Sequence, residues 1–251
     1  SDALLNMPFD VNGSNENTTN IKDYTSYGNN GTAQNGVRWN ASCGAFTGSG
    51  GCYWFEGIND TIRIVNGFTN TIKGDDTHTI SMRLKPDSYN NVESTSPIFF
   101  STSDSKYYLQ SSGGNSILWG TGLGSGSNYR SYTFNMPVGI WSNLVIVKQG
   151  AGNVGSLYYN GTLMSYTNTS GGLNSTQDAN MDFCLGAYAC TSGYTWNGSI
   201  DQFMVWNRSL SASEIAMLYS RGVNDRVHSD ATERGETWMA CLTAFTSTTE
   251  G

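Results

Sequence analysis

The chain has 251 residues, enough for one large domain with a real core, and only 13% of them are charged, about half of ordinary usage. The formal net charge is −7 and the 13 basic residues are scattered without a run, which excludes a counterion-releasing nucleic-acid surface. No stretch of about 18 apolar residues occurs, which excludes a membrane-spanning helix.

Ser1-Asp2-Ala3 is not a signal peptide and reads as a mature N-terminus left after processing, or as a cut boundary. Leu4 to Asp10 reads as an opening strand, followed by Asp23 and a turn over Ser26 to Gly31. Tyr53 to Gly57 and Asn59 to Ile62 are further strand material. Thr77, Thr79, Ser81 and Arg83 then alternate against His78, Ile80, Met82 and Leu84 as in a half-buried strand. The Gly-rich run Gly120 to Gly126 lacks the Lys-Ser/Thr of a phosphate loop and reads as a flexible hairpin connection. Leu144 to Val147 is apolar throughout, as in a central strand covered on both faces. Ile200 to Trp206 is rich in β-formers and runs into the one well-signalled helix. There Ser211 and Glu214 form a capping box, and Leu210 and Ile215 a hydrophobic staple. Ile215, Leu218 and Tyr219 make an apolar stripe, and Gly222 is placed to end the helix.

Many short strands joined by Gly, Ser, Thr and Asn predict an all-β fold. The expected form is a two-sheet antiparallel jelly-roll sandwich with one short helix near the C-terminus. Cysteine usage points outside the cell. Cys43 and Cys52 flank a Gly-rich loop, and Cys184 and Cys190 bracket a strand end, so each pair is close enough for a local disulfide. The alternative is four buried thiols. Neither spacing suits zinc, and His78 and His228 lie far from a second ligand pair. Cys241 is left over, and an odd cysteine in a secreted chain suggests a partner outside this segment. Ten sequons begin at Asn12, Asn17, Asn30, Asn40, Asn59, Asn160, Asn168, Asn174, Asn197 and Asn207. Most fall in turns, where a glycan is tolerated; the alternative is an Asn/Ser/Thr-rich chain that is never glycosylated.

The stretch Trp196 to Gly222 resembles the closing segment of laminin-G-like, concanavalin-A-like jelly-roll domains of extracellular or cell-surface proteins. The matching residues include Gly198, Ile200, Asp201, Phe203, Asn207, Arg208, Leu210, Glu214 and Ile215. The opening strand, the Ser26–Gly31 turn, Tyr53 to Ile62, Thr79 to Pro86, Gly139 to Leu144 and Leu157 to Gly161 match in the same order, so the resemblance covers residues 3 to 222. It implies a structural Ca2+ where the exit loop of the first strand meets the closing strand. The acids there are Asp10, Asp23 and Asp201, with Asn12, Asn29 or Asn30 to complete the shell. Strand alternation places Asp201 on the face of Phe203 and Val205. Its alternative role is to accept backbone N–H bonds from the Tyr27–Gly31 turn.

No catalytic constellation is legible. The E-x-D-x-x-E strand motif of the glucanases that share such a fold is absent, and Glu56, Glu93 and Glu214 stand apart. The expected activity is therefore non-catalytic recognition or adhesion, lectin-like binding of a glycan or cell-surface protein. Trp119, Tyr129, Tyr188, Tyr194 and Trp196 are the candidate stacking residues; the alternative places them in the core. Trp54, Trp141 and Trp206 read as core. Residues 223–251 read as a charged linker plus one strand over Glu236 to Phe245, similar to a strand of tandem immunoglobulin-like repeats. An ordered tail must be tied down by contacts. That leaves a second reading, a structural subunit that docks this strand on a neighbouring copy through Trp238, Cys241 and Phe245.

Overall fold

A computed structural model describes residues 3–10, 20–46, 50–65, 77–89, 96–121, 128–150, 155–170, 173, 181–191 and 193–221. Within them the chain forms sixteen strands, one 3-10 turn and one α-helix. In chain order the strands are β1 (Ala3–Met7), β2 (Gly31–Gln34), β3 (Arg38–Asn40), β4 (Cys52–Glu56), β5 (Thr61–Ile64), β6 (His78–Pro86), β7 (Ile98–Thr102) and β8 (Tyr108–Ser112). They continue as β9 (Ser116–Thr121), β10 (Asn128–Thr133), β11 (Ser142–Lys148), β12 (Gly155–Tyr159), β13 (Thr162–Met164), β14 (Asn168–Ser170), β15 (Phe183–Leu185) and β16 (Asn197–Trp206). The 3-10 turn η1 spans Tyr188–Cys190 and the helix α1 spans Ala212–Arg221.

All pairings are antiparallel and make two eight-stranded sheets, as a jelly-roll sandwich requires. Sheet 1 runs β13-β12-β11-β6-β16-β4-β3, and β1 pairs with the later half of β16; sheet 2 runs β14-β10-β9-β8-β7-β15-β5-β2. The core lies between them. On β6, His78, Ile80, Met82 and Leu84 turn inward while Thr79, Ser81 and Arg83 turn outward, as their alternation predicts. Phe183 of sheet 2 stacks on Phe203 of sheet 1 at 5.7 Å and on Phe100 at 5.0 Å, joining the layers through aromatic faces.

The outer face of sheet 1 carries a second apolar cluster. Val145 and Val147 of β11 meet Met204, Trp206, Leu210 and Ile215 there, so α1 roofs the sheet. β11 is thus buried on both faces, which is why Leu144 to Val147 needs no alternation. The capping box forms: the Glu214 N–H donates to Ser211 Oγ (3.3 Å) and the Ser211 N–H to Glu214 Oε2 (2.8 Å). Arg208 adds a two-pronged pair on Glu214 at 2.6 and 3.1 Å. Tyr219, expected in the apolar stripe, is 41% exposed.

Two expectations fail at β16 and its flank. Between Asp201 and Met204 the register against β6 slips by one residue, and Gln202 sits at φ +49°. This bulge reverses the alternation. Ile200, Phe203 and Val205 all face the core, whereas Asp201 stands outward, opposite Arg83. Trp54 and Trp141, expected in the core, are half-buried and belong to neither apolar cluster; Trp206 does lie in the cluster under α1.

Candidate ligand-binding site

Sheet 2 leaves its outer face free of any helix in the described residues. Leu109, Ile117, Trp119 and Tyr132 point into the core, so Tyr108, Gln110, Leu118, Gly120, Tyr129 and Ser131 point outward. Gly120 lies between Tyr108 on β8 and Tyr129 on β10. A Cβ at Gly120 would overlap the Tyr108 phenol and come within 2.7 Å of the Asn128 carbonyl oxygen. The glycine therefore lets the Tyr108 ring lie across β9 toward Tyr129. Burial, and then the neighbouring Tyr129, push the Tyr108 hydroxyl up to about 12. In the next row Gln110, 7% exposed, sits between Ile98 and Leu118. Among the described residues its buried Oε1 has no hydrogen-bond partner, and leaving such an acceptor unmet costs about 1–3 kcal/mol.

Beside this row, η1 folds back over β7 and β15. Both expected disulfides form, Cys43–Cys52 and Cys184–Cys190. The second ties the end of β15 to η1, where Ala189 and Cys190 adopt φ +50° and +58°. Ser101 on β7 fixes the turn further: its hydroxyl donates to the Ala187 carbonyl (3.0 Å) and accepts the Ala189 N–H (2.9 Å). Tyr188 and Tyr194 are presented as a T-shaped pair with ring centres 5.8 Å apart, and Tyr194 is 45% exposed.

Of the five expected stacking residues, the structure places Tyr129, Tyr188 and Tyr194 on the surface and two in the core. Trp119 is fully buried, its indole N–H donating to the Tyr107 hydroxyl (3.2 Å), which in turn meets His78 Nε2 (2.7 Å). Trp196 is fully buried edge-on to Phe99. Both fall on core-facing positions, which the loop-adjacent sequence gave no way to see. Tyr108 and Gln110 were missed. Their alternation with Leu109 was legible, but which side faced outward was not.

The carboxylates serve as turn acceptors. Asp23 Oδ1 accepts N–H bonds from Asn6 and Thr25 (3.0 Å each), and Oδ2 accepts from Thr25 Oγ1 (2.7 Å) and the Asn29 N–H (2.9 Å). It is therefore Asp23, not Asp201, that fastens the Tyr27–Gly31 turn. Asp201 instead holds the Cys43–Cys52 loop, accepting N–H bonds from Ala45 and Gln202 (2.8 Å each). Asp10 accepts the Gly50 N–H from the same loop at 3.1 Å. Burial, then repulsion from Asp10, push the Asp201 carboxyl up to about 8 against the pull of these N–H groups and of Arg83. Among the described residues no group of three His, Cys, Asp or Glu is placed to hold a metal ion. With Asp23 saturated by four donors, the expected set of Asp10, Asp23 and Asp201 is not assembled as a triad. Asp10 and Asp201 remain as a neighbouring pair.

Glu56 and Asp60 also lie close, since a Cβ on Gly36 would come within 2.5 Å of both carboxylates. Asp60 is fully buried, however, and accepts N–H bonds from Gly36 (2.7 Å) and Glu56. Burial pushes its carboxyl up against those bonds. This is the chemistry of a turn clasp, since an acid transferring protons to a sugar must reach it. Asn30, Asn40, Asn59 and Asn207 are exposed, and Asn160 and Asn197 half-buried. Asn168 lies on β14. Asn12, Asn17, Asn174, His228 and the tail with Trp238, Cys241 and Phe245 lie outside the described residues, as does most of the Gly120–Gly126 run.

The comparisons agree with this architecture. A laminin G family model, described as the concanavalin A-like lectin/glucanases superfamily, matches residues 55–216. No curated protein matches the sequence. Among solved structures, the chain is similar to domain 4 of AbnA, a GH43 extracellular arabinanase from Geobacillus stearothermophilus, in complex with arabinotriose. The TM-score is 0.63 at 16% identity, covering 87% of this chain and 98% of that one. It is also similar to the botulinum neurotoxin serotype G binding domain (TM-score 0.61, 20% identity, 86% of this chain and 50% of that one). A third is the binding domain of botulinum neurotoxin DC, in complex with rat synaptotagmin II (TM-score 0.56, 12% identity, 89% and 52%). The chain thus spans nearly all of the arabinanase domain and about half of each toxin domain. At these identities the likeness is one of fold.

Proposed function

The chain belongs to the concanavalin A-like lectin/glucanases superfamily, and we propose that it acts there as a non-catalytic recognition module, binding a glycan or a protein partner in an extracellular setting. The observation that carries this reading is the Tyr188–Tyr194 pair, pinned over sheet 2 by a disulfide and by Ser101. A fixed aromatic pair offers stacking area at little side-chain entropy cost on binding. The half-buried Tyr129 extends the same face. The relatives in complex with arabinotriose and with synaptotagmin II support both ligand classes. The two disulfides support the extracellular setting, where exposed Asn30, Asn40, Asn59 and Asn207 are the favoured glycan acceptors.

A glycan array and a panel of cell-surface ectodomains test this, each with and without calcium, because Asp10 and Asp201 are the acid pair left for a hard cation. The expected result is saturable binding that weakens at least tenfold in Tyr188→Ala/Tyr194→Ala. Absence of binding to either panel, with a folded protein, contradicts the reading. Docking of the Glu236–Phe245 strand on a neighbouring copy is a separate proposal; it requires concentration-dependent oligomers in sedimentation that disappear when residues 223–251 are removed.

A further inference from the structure

Trp54 and Trp141 are half-buried and belong to neither apolar cluster of the sandwich. Tyr53 and Phe55 flank Trp54 and both enter the core, so Trp54 stands on the outer face of sheet 1. The register lays out a row across that face. Arg38 on β3 lies opposite Trp54 on β4, Trp54 opposite Ser199 on β16, and Ser199 opposite Lys85 on β6. Ser142 pairs with Leu84, which sets the preceding residue, Trp141, beside Lys85. Three strand spacings separate the two indoles, about 14 Å.

Each ring carries its own cation. The Arg38 guanidinium lies 5.9 Å from the Trp54 ring centre and the Lys85 ammonium 5.4 Å from that of Trp141. Both distances sit near the outer limit of a cation–π contact, so each cation stands by its ring without being clamped to it. Ser199 is small and only 3% exposed, so the flanking side chains, not the serine, form the surface between the rings. The Trp54 indole N–H donates to Asp87 Oδ2 at 2.8 Å, and this fixes the plane of the ring.

We propose that this row binds an acidic oligosaccharide, a chain of carboxylated pyranoses lying across the strands of sheet 1. The C–H face of a pyranose stacks on each indole, and its carboxylate meets the neighbouring Arg38 or Lys85 in a charge-assisted hydrogen bond. The repeat of ring plus cation at two places favours an oligomer over a single sugar. On a chain of net charge −7, Arg38 and Lys85 set against the one Asp87 carboxylate leave this row net positive, which marks it for an anion. The inference rests on the recognition reading but uses the opposite sheet from Tyr188 and Tyr194.

Isothermal titration with hexagalacturonate at low salt tests it, with cellohexaose as the neutral comparison. The wild type is expected to bind hexagalacturonate at least tenfold more tightly than cellohexaose, with affinity falling as salt rises. Trp54→Ala/Trp141→Ala and Arg38→Gln/Lys85→Gln are each expected to weaken it tenfold or more. The second variant shortens two side chains and removes their charges outside both apolar clusters, so it reports even if the first fails to fold. Binding that survives the Arg38→Gln/Lys85→Gln change, or equal affinity for cellohexaose, overturns the proposal. If the wild type ignores hexagalacturonate but binds array glycans through Tyr188 and Tyr194, the row is refuted and the recognition reading stands. If it binds neither these hexamers nor anything on the array or the ectodomain panel, both fall.

Discussion

Arg83→Met probes the joint that holds α1 and the Cys43–Cys52 loop to sheet 1. Arg83 is 4% exposed, and its guanidinium donates to Gln202 Oε1 (3.1 Å) and to the carbonyls of Leu218 (2.9 Å) and Tyr219 (2.6 Å) at the end of α1. It also lies 3.8 Å from the centre of the Phe46 ring, in the disulfide loop. Burial holds Arg83 down to about 10, while Asp201 opposite favours its charged form. Methionine keeps the apolar stem but takes the donor away from the two helix carbonyls and Gln202 Oε1, and it withdraws the charge that favours an ionised Asp201. Removing one member of a buried charged group costs roughly 3–5 kcal/mol. For a domain of this size that lowers Tm by about 6–20 °C. Thermal and urea unfolding followed by circular dichroism read the loss directly. At pH 9, above the raised Asp201 value of about 8, adding Asp201→Asn to Arg83→Met should recover part of it, because the stranded carboxylate is gone. A loss below about 1 kcal/mol, with no recovery in the double variant, would refute the joint.

Gly120→Ala forces a Cβ into the Tyr108 phenol; it should cost about 1–3 kcal/mol in urea unfolding, and a neutral result would mean that the ring does not lie across β9. Cys184→Ser/Cys190→Ser opens a loop with a sequence separation of 6, which removes roughly 2 kcal/mol. The same change should abolish ligand binding through Tyr188 and Tyr194 while the fold survives, and unchanged affinity would show that η1 needs no clamp. Glu214 is held down at about 2, chiefly by hydrogen bonds from Arg208. Its contribution is therefore present above its ordinary value of 4.5 and is lost as pH falls through 2. Glu214→Gln should flatten the stability curve in that window by less than about 1 kcal/mol, since the pair is partly exposed; an identical curve would contradict the depressed value.

Much of this was legible in the residues. The capping box at Ser211 and Glu214, the doubly buried Leu144–Val147 strand and both disulfides rest on local spacing, and local spacing carries them. What failed was long-range or depended on parity. The bulge at Gln202 adds one residue to β16, and no alternation rule can place Asp201 once a register slip intervenes. Trp54 and Trp141 look like core because indoles in strand patterns usually are, yet a strand does not say which of its faces meets the other sheet. Trp119 and Trp196 fail in the opposite sense, lying beside Gly-rich segments while pointing inward. The Tyr108–Gly120–Tyr129 row was invisible because its members come from three strands.

The claim that this sandwich recognises its ligand without altering it is tested most directly by mass spectrometry of a bound oligosaccharide after prolonged incubation with stoichiometric protein, in parallel with titration. Saturable binding with the oligosaccharide recovered at its original mass is the predicted result. Shortened products that form in proportion to the protein, and that vanish in Glu56→Gln or Asp60→Asn, would contradict it.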